Sequence, residues 1–250
     1  MKRVLDRLLR NAIFFETIAV FLYAFYCLVF AVAATPSALL VYWGTHYFLG
    51  KGLLMFFWFV FLCFVAFYIF LVSSTVFVGC VERIMTLGLK PGVYPPSSAV
   101  FIQWLAYAGL HLWMVLLVLP CLRGGNWIKM YLRITGAKVG RGAFLNTKDF
   151  YDPYLLKIGD NVVIGGDATL TCHLFEGGRL HLDKITLGDA TAIGAHAYLT
   201  PGTATGTNSK IGMNTFLQRN TTIRNGETHL SLPSMTLRQA VKLMRKEEGK

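Results

Sequence analysis

Between residues 158 and 223 an aliphatic side chain returns at nearly every sixth position, and five of these residues are followed directly by glycine. A period of six fits neither an α-helix nor a free-standing strand, and fixed periods are typical of solenoids. The pattern predicts a three-sided coil, in which each hexapeptide supplies a short strand, an inward side chain and a turn where glycine permits tight backbone angles. The members are Ile158, Ile164 and Leu170, then Leu187, Ile193, Leu199, Thr205, Ile211, Leu217 and Ile223.

Two breaks in this period predict where the coil is interrupted. Val139 and Ile158 are 19 positions apart, one more than three hexapeptides, so we expect an inserted residue near 149–153. Leu170 and Leu187 are 17 positions apart, so a segment between residues 172 and 184 should leave the coil. Segments that leave a rigid solenoid commonly carry its function.

The N-terminal half contains three apolar runs, over residues 13–34, 53–78 and 99–119. Each reaches the roughly 20 residues that a helix needs to cross a hydrocarbon layer of about 30 Å. The runs predict a multi-pass transmembrane region over residues 1–120 of a protein of the cell membrane.

The distribution of charge limits the topology of this region. The net charge of +11 is unevenly distributed along the chain. Residues 1–138 contain 11 basic and 3 acidic side chains, whereas residues 139–232 contain 8 of each. The neutral solenoid argues against nucleic acid as a partner, and the basic flanks of the apolar region both favour the cytoplasm. Three full crossings would place the two basic flanks on opposite sides of the membrane, which conflicts with this preference. Either the third run, which contains Gln103 and His111, does not span, or Pro36 splits the first run into a hairpin.

The remaining boundaries follow from the same patterns. We expect residues 121–138 to form an interfacial linker that contains a short amphipathic helix. We expect residues 139–232 to form the β-helix, with about four to five coils and a cytoplasmic location. Residues 233–250 predict a basic amphipathic C-terminal helix. Such a helix either lies on an anionic membrane or caps the open end of the solenoid.

The hexapeptides resemble those of a known family. The run 134–140, the strand start Ile158-Gly159-Asp160-Asn161 and the turn Thr200-Pro201-Gly202 are similar to the left-handed parallel β-helix of the hexapeptide-repeat acyltransferases. His173-Leu174-Phe175-Glu176, followed by Ile193-Gly194, looks most like the membrane-embedded terminal region of poly-lysine-type non-ribosomal peptide synthetases. The resemblance implies a homotrimer and a thioester donor, either an acyl-CoA such as acetyl-CoA or the pantetheine of a carrier protein.

His173 is the candidate general base, because it lies where the regular coil stops. A neutral imidazole can remove a proton from an attacking group near pH 7, and a carboxylate on its other nitrogen would fix the tautomer. Glu176, Asp149 and Asp152 are the candidates for that carboxylate. In the family that it resembles, a histidine from such a loop is the base at a subunit interface. The alternative is a loop histidine that caps a turn.

Two further sets of residues are candidates for binding. Asn146, Asp149 and Asp152 resemble the acceptor-binding stretch of relatives, although they would also suit a turn stabilised by Asx side chains. Gly202, Gly206 and Gly212 resemble the small-residue groove that carries pantetheine, although glycine also suits the corners of the coil. The histidines and cysteines show no ligand spacing that indicates zinc, so no metal is expected.

These observations favour a membrane-anchored acyltransferase. It would move an acetyl, acyl or aminoacyl group to a hydroxyl or amine of a polar small molecule, glycan or peptide. Two alternatives remain open: a non-catalytic trimeric scaffold, and a peptide-bond-forming module of a peptide synthetase. The latter requires an adenylating or carrier-protein partner.

Overall fold

The computed structural model describes the backbone of residues 2–230 and the side chains of residues 16–230. Two long helices, α1 (Lys2–Phe48) and α2 (Leu53–Met85), form an antiparallel pair. Helix α3 (Ala99–Trp113) continues into a π-helical turn (Met114–Val118) and a 3₁₀ turn (Leu119–Leu122), and α4 (Asn126–Ile134) follows. Three segments are long and apolar enough to cross a membrane: Glu16–Phe48, Leu53–Met85 and Ala99–Leu122. The protein is therefore suited to membrane association.

Helix α1 is continuous through Pro36, so the alternative in which this proline splits the first run into a hairpin is wrong. Two backbone carbonyls near the proline accept hydrogen bonds from side-chain hydroxyl groups. Thr35 donates to the carbonyl of Ala31 at 2.9 Å, and Ser73 of α2 donates to that of Ala33 at 2.6 Å. The bond from Ser73 joins α2 to α1 beside the proline.

After α4 the chain winds through three sheets of parallel strands. The predicted fold class, an apolar helical region followed by a parallel β-helix, is confirmed in this coarse form. The number of coils stays a prediction. The helix predicted over residues 233–250 lies outside the described residues. The first sheet contains β2 (Lys138–Val139), β5 (Leu156–Ile158), β10 (Ile185–Leu187), β13 (Ala204–Thr205) and β16 (Thr222–Ile223). The second contains β3 (Phe144–Leu145), β6 (Val163–Ile164), β11 (Ala192–Ile193), β14 (Lys210–Ile211) and β17 (Thr228–His229). The third contains β4 (Phe150–Tyr151), β7 (Thr169–Thr171), β12 (Tyr198–Leu199) and β15 (Phe216–Leu217).

The hexapeptide positions form ladders inside the prism, since each pairs with its counterpart one turn away. In the third sheet Phe150, Leu170, Leu199 and Leu217 are in register and fully buried. Burial of each such side chain contributes about 1.5–3 kcal/mol. Thr205, the polar member of the repeat, is buried in the first sheet, where its hydroxyl accepts the N–H of Gly188 at 3.1 Å. A buried polar group paired in this way is tolerated.

The glycines that follow the aliphatic positions have a different purpose from the one predicted. The left-handed backbone conformation occurs two residues later, at Asn161 (φ 54°), Asn208 (φ 56°) and their equivalents, and not at the glycines themselves. Glycine is needed for space: a Cβ on Gly188 would lie 2.5 Å from the carbonyl carbon of Gly206 on the next turn. The repeat therefore selects glycine for close stacking of turns, and mostly asparagine or aspartate for the bend.

The segment after Cys172 leaves the coil, as the 17-residue spacing predicts, and it is a regular hairpin. Strands β8 (His173–Glu176) and β9 (Arg179–Leu182) pair antiparallel around Gly177 (φ 56°) and Gly178 (φ 70°). Two positive φ values match the tight turn that connects twisted strands. The outer edge of β9 pairs with β1 (Gly92–Tyr94), which lies in the connection between α2 and α3. The hairpin is thereby attached to the helical region.

Candidate active site

His173 begins the hairpin, and its side chain is 26% exposed. The hydroxyl of Thr171 donates to the His173 carbonyl at 3.0 Å and so fixes the point where the chain leaves β7. The imidazole Nδ1 lies 2.6 Å from Oδ2 of Asp152. An ionised carboxylate only accepts hydrogen bonds, so Nδ1 carries the proton and Nε2 is left as the basic nitrogen.

Asp152 lies between β4 and β5, in the part of the first coil where the sequence spacing predicts an insertion. It adopts a left-handed conformation (φ 58°, ψ 55°) immediately before Pro153, which disfavours the right-handed helical region for the preceding residue. Its side chain is only 2% exposed. The second carboxylate oxygen, Oδ1, accepts the indole N–H of Trp104 of α3 at 2.8 Å. Both carboxylate oxygens are therefore paired with donors, as burial of a charge requires.

Aromatic rings surround the Asp152–His173 pair. The ring centroid of Trp104 lies 4.9 Å from that of His173, and the centroid of Tyr151 lies 6.1 Å from it. Phe175 also packs on Trp104, with ring centroids 5.5 Å apart. Burial raises the pKa of Tyr151, with a further contribution from the charge of Asp149. The rings restrict water on one side of the imidazole, and Trp104 comes from the helical region.

A second buried cluster lies behind the segment that carries Asp152. The Nε2 atom of His111 donates to the carbonyl of Phe150 at 2.7 Å, and its Nδ1 atom lies 2.8 Å from the hydroxyl of Tyr131. The Tyr131 hydroxyl also donates to Glu82 of α2. Burial, and then the charge of Glu82, raise the pKa of Tyr131 well above its ordinary value. The cluster joins α2, α3 and α4 to strand β4, and it fixes the backbone two residues before Asp152.

The structure does not bring Glu176 to His173. Glu176 is at the exposed end of β8, where its carboxylate pairs with the guanidinium of Arg219 at 2.8 Å. Arg219 also donates to Nδ1 of His181 at 2.9 Å. An open cavity of about 450 Å³ lies beside these residues and is lined by Gly92, Asp183, Pro201 and Asn220 among others. Glu176 therefore belongs to the outer end of the hairpin.

The predicted acceptor residues lie along the first coil. Asn146 is exposed at the end of β3, and Asp149 pairs with Lys148 at 2.9 Å. The backbone N–H of Asp149 donates to the hydroxyl of Thr147 at 3.1 Å, which is the local turn geometry expected of such a segment. Of the three acceptor candidates, Asp152 is the one in contact with His173.

The three glycines predicted to line a donor groove all face a neighbouring part of the coil. A Cβ on Gly202 would lie 2.1 Å from Oδ1 of Asn220, and one on Gly206 would lie 2.2 Å from Oδ1 of Asn225. At Gly212 it would approach Leu230 to 2.8 Å. Stacking within the coil thus accounts for these glycines. Among residues 16–230, no group of three or more histidine, cysteine or acidic side chains is placed to hold a metal ion.

The sequence patterns did not identify Trp104, Tyr131 or Glu82 as site residues. Trp104 lies in an apolar run whose composition indicates only a membrane helix. The one signal available was an ionisable residue within an apolar run, as at His111, since buried ionisable groups in such runs are often functional. Glu16, which shows the same signal, is exposed.

Known proteins share parts of this chain. Residues 184–219 match a family model described as the hexapeptide repeat of succinyl-transferase. Delta-poly-L-ornithine synthetase of Acinetobacter baumannii is 28% identical over 168 residues, which are 67% of this chain and 12% of that protein. Galactoside O-acetyltransferase of Escherichia coli is 34% identical over 82 residues, 30% of this chain and 40% of that one. A galactoside acetyltransferase solved in complex with coenzyme A has a TM-score of 0.44 at 18% identity and covers 60% of this chain and 87% of its own. The chain thus spans less than half the length of these two curated relatives.

Proposed function

We propose that the protein is a membrane-anchored acyltransferase, because residues 184–219 match a hexapeptide-repeat model and a galactoside O-acetyltransferase is among the similar proteins. It transfers an acetyl, acyl or aminoacyl group from a thioester donor to a hydroxyl or amine. The donor is an acyl-CoA, such as acetyl-CoA, or the pantetheine thioester of a carrier protein. The observation that carries the proposal is the Asp152–His173 pair, which holds the proton of the neutral imidazole on Nδ1 and so leaves Nε2 to accept a proton at a half-open site.

The reaction follows from that geometry. Nε2 of His173 accepts the proton of the acceptor hydroxyl or amine as its oxygen or nitrogen attacks the thioester carbonyl. The new bond to the carbonyl carbon forms, the carbon–sulfur bond breaks, and the imidazolium returns its proton to the departing thiolate. Asp152 stabilises the imidazolium and holds the ring, a role that the sequence also allowed for Glu176.

The binding residues remain predictions in this scheme. Asn146 and Asp149 contact the acceptor, which is a polar small molecule, glycan or peptide. Gly202, Gly206 and Gly212 border the path of the donor's pantetheine arm. The protein works as a homotrimer in the cell membrane, with the β-helix on the cytoplasmic side, where positively charged flanks are retained.

A second candidate is supported by the similarity to a peptide synthetase over 67% of the chain. In that case the module forms a peptide bond with an aminoacyl thioester supplied by a separate adenylating or carrier-protein partner. The same His173 chemistry serves both cases because only the donor and acceptor differ. A non-catalytic scaffold would need neither the buried carboxylate nor the free imidazole nitrogen.

The test is transfer by the full-length protein in lipid nanodiscs, with acetyl-CoA as donor and a panel of amino sugars, glycosides and amino acids as acceptors. His173→Ala should reduce the rate by about 10²–10⁴-fold, the usual contribution of a general base. His196→Asn is the matched control, because His196 is an exposed histidine in a left-handed bend that asparagine adopts readily. An unchanged rate in His173→Ala would refute the proposal.

Calorimetric titration separates the donors. Saturable binding of acetyl-CoA supports a coenzyme A thioester. No binding at millimolar acetyl-CoA, together with transfer from an aminoacyl carrier protein, supports the peptide-forming candidate.

A further inference from the structure

The β-helix contacts the third apolar segment, Ala99–Leu122, at both of its ends. Near the start, the indole N–H of Trp104 donates to Asp152 at 2.8 Å. Just beyond the end, the N–H of Gly124 donates to the carbonyl of Leu145 at 2.8 Å, and Arg123 pairs with Asp167 at 2.6 Å. These two sets of contacts are about 30 Å apart along the helical segment, at about 1.5 Å per residue. The first coils of the β-helix therefore lie alongside the whole segment.

Such contacts are incompatible with a segment that crosses the bilayer. If it did, its two ends would lie on opposite faces of a hydrocarbon layer about 30 Å thick. The β-helix would then be immersed in lipid, with the exposed Arg123–Asp167 pair and the neighbouring Lys148–Asp149 pair. Charged side chains at that depth are costly, and irregular backbone exposed to lipid does not occur there.

The opposite edge of the segment nevertheless suits lipid. Leu112, Leu116 and Leu117 are 44%, 61% and 51% exposed, whereas the adjacent His111 is buried against Phe150 of the β-helix. Trp113 beside them packs on Phe30 of α1, with ring centroids 5.6 Å apart. The exposed leucines thus continue the apolar surface of α1, and a contiguous patch of this kind marks a site of contact with lipid or protein.

We infer that Ala99–Leu122 is a membrane-surface segment: it stays on the β-helix side, its leucine edge lies in the adjoining leaflet, and only α1 and α2 cross. The basic residues at the start of α1 and those after residue 122 then share one side of the membrane, as the distribution of positive charge requires. The inference does not rest on acyl transfer. It does place Trp104, and with it the Asp152–His173 pair, at the level of the membrane surface.

Cysteine labelling tests the sidedness in full-length protein reconstituted into vesicles. Cys27, Cys63, Cys80 and Cys121 are replaced by serine, whereas the fully buried Cys172 remains. Single cysteines are placed at the exposed positions Ser97 and Asn126, which flank the segment. Arg141→Cys reports the β-helix side, and Lys51→Cys reports the turn between α1 and α2.

We expect a membrane-impermeant maleimide to label Ser97→Cys, Asn126→Cys and Arg141→Cys from one side, and Lys51→Cys from the other. Labelling of Ser97→Cys and Asn126→Cys from opposite sides would overturn the inference. A nitroxide at Leu116 should lie shallow in the bilayer, whereas one at the exposed Phe64 of α2 should lie deep. A nitroxide at Leu116 as deep as that at Phe64, or one wholly in water, would contradict the leaflet position.

Discussion

At the scale of single residues, the site depends on how one carboxylate is presented. Asp152 combines a left-handed backbone with two hydrogen bonds, one from each of its neighbours Trp104 and His173. A left-handed conformation is unfavourable for most side chains but accessible to aspartate and asparagine. The bonds to Trp104 and His173 together select a single orientation of the carboxylate.

Asp152→Asn should lower the transfer rate by about 10²–10⁴-fold. Asparagine keeps the backbone conformation, but its amide group can donate to Nδ1 and so favour the tautomer in which Nε2 carries the proton. The measurement is the rate of acyl transfer together with the thermal midpoint, which should change little. Asp167→Asn is the control, because Asp167 also occupies a left-handed bend (φ 53°). Equal losses in the two variants would contradict the assignment.

Trp104→Phe removes one N–H and keeps most of the ring. It leaves Oδ1 of Asp152 buried without its donor, which costs about 1–3 kcal/mol. As a positioning residue, Trp104 should affect kcat much more than KM, since it acts through its bond to Asp152. Trp113→Phe, on the face of α3 that packs on α1, should leave kcat unchanged. A rise in KM alone for Trp104→Phe would assign Trp104 to binding instead.

Cys172 should be inert in the folded protein. Burial raises the pKa of its thiol well above the ordinary value, with a further contribution from the charge of Asp152, and its side chain is fully buried. The thiol is therefore neither ionised nor accessible, and the thiolate is the reactive form. Mass spectrometry after maleimide treatment should find Cys172 unmodified until the protein is denatured. Modification under native conditions would contradict the burial of Cys172 between the end of β7 and the start of β8.

At the scale of elements, the Glu82–Tyr131–His111 cluster connects three helices to strand β4. Tyr131 is fully buried in it, and Tyr154, which is largely buried, also has a raised pKa, first from burial and then from the charge of Asp152. Both phenols are thus held neutral in the folded state. Their ionisation is coupled to unfolding.

The consequence is a loss of stability at high pH. The folded-state pKa of each phenol lies above its unfolded value of about 10, so the stabilisation is complete below pH 10 and is lost as the pH rises further. Each such tyrosine contributes a slope of about 1.4 kcal/mol per pH unit to the free energy of unfolding. Tyr131→Phe should flatten that slope between pH 10 and 11, whatever it does to stability at pH 8. An unchanged slope would argue against burial of this phenol.

Sequence patterns were informative wherever a position repeats. The six-residue period located the inward ladders, and its two breaks located the segments that carry Asp152 and His173. The carboxylate partner of His173 was harder to predict from sequence. Glu176 is close to His173 in sequence, but three residues along a strand span about 10 Å and place the two side chains on opposite faces. Trp104 precedes Asp152 by 48 residues, and no local pattern connects the two. Contacts between the helical region and the β-helix could therefore not be predicted.

At the scale of the whole molecule, the outer faces of the prism are candidate contact surfaces for the predicted homotrimer. Tyr198 and Phe216 stack on the outer face of the third sheet, with centroids 5.6 Å apart, and both are exposed. Exposed aromatic side chains of this kind favour burial at a subunit contact. The predicted homotrimer offers such a contact.

Phe216→Ser should shift the assembly towards monomers of 27.9 kDa, as measured by native mass spectrometry in detergent. Lys210→Ser is the matched control, because Lys210 is the exposed outward residue of the strand on the adjacent face. We expect it to leave the oligomer intact. Trimers that persist in Phe216→Ser at micromolar concentration would exclude this face as the contact.

The position of strand β1 in the chain determines what a truncated form of the protein would lose. It is the edge partner of the hairpin that begins at His173, yet it is encoded between two apolar helices. A soluble fragment that starts after residue 125 would retain the repeats but lose β1 and the indole that steadies Asp152. The absence of activity in such a fragment would therefore say nothing about the full-length protein, because the fragment lacks the contacts that position Asp152 and His173.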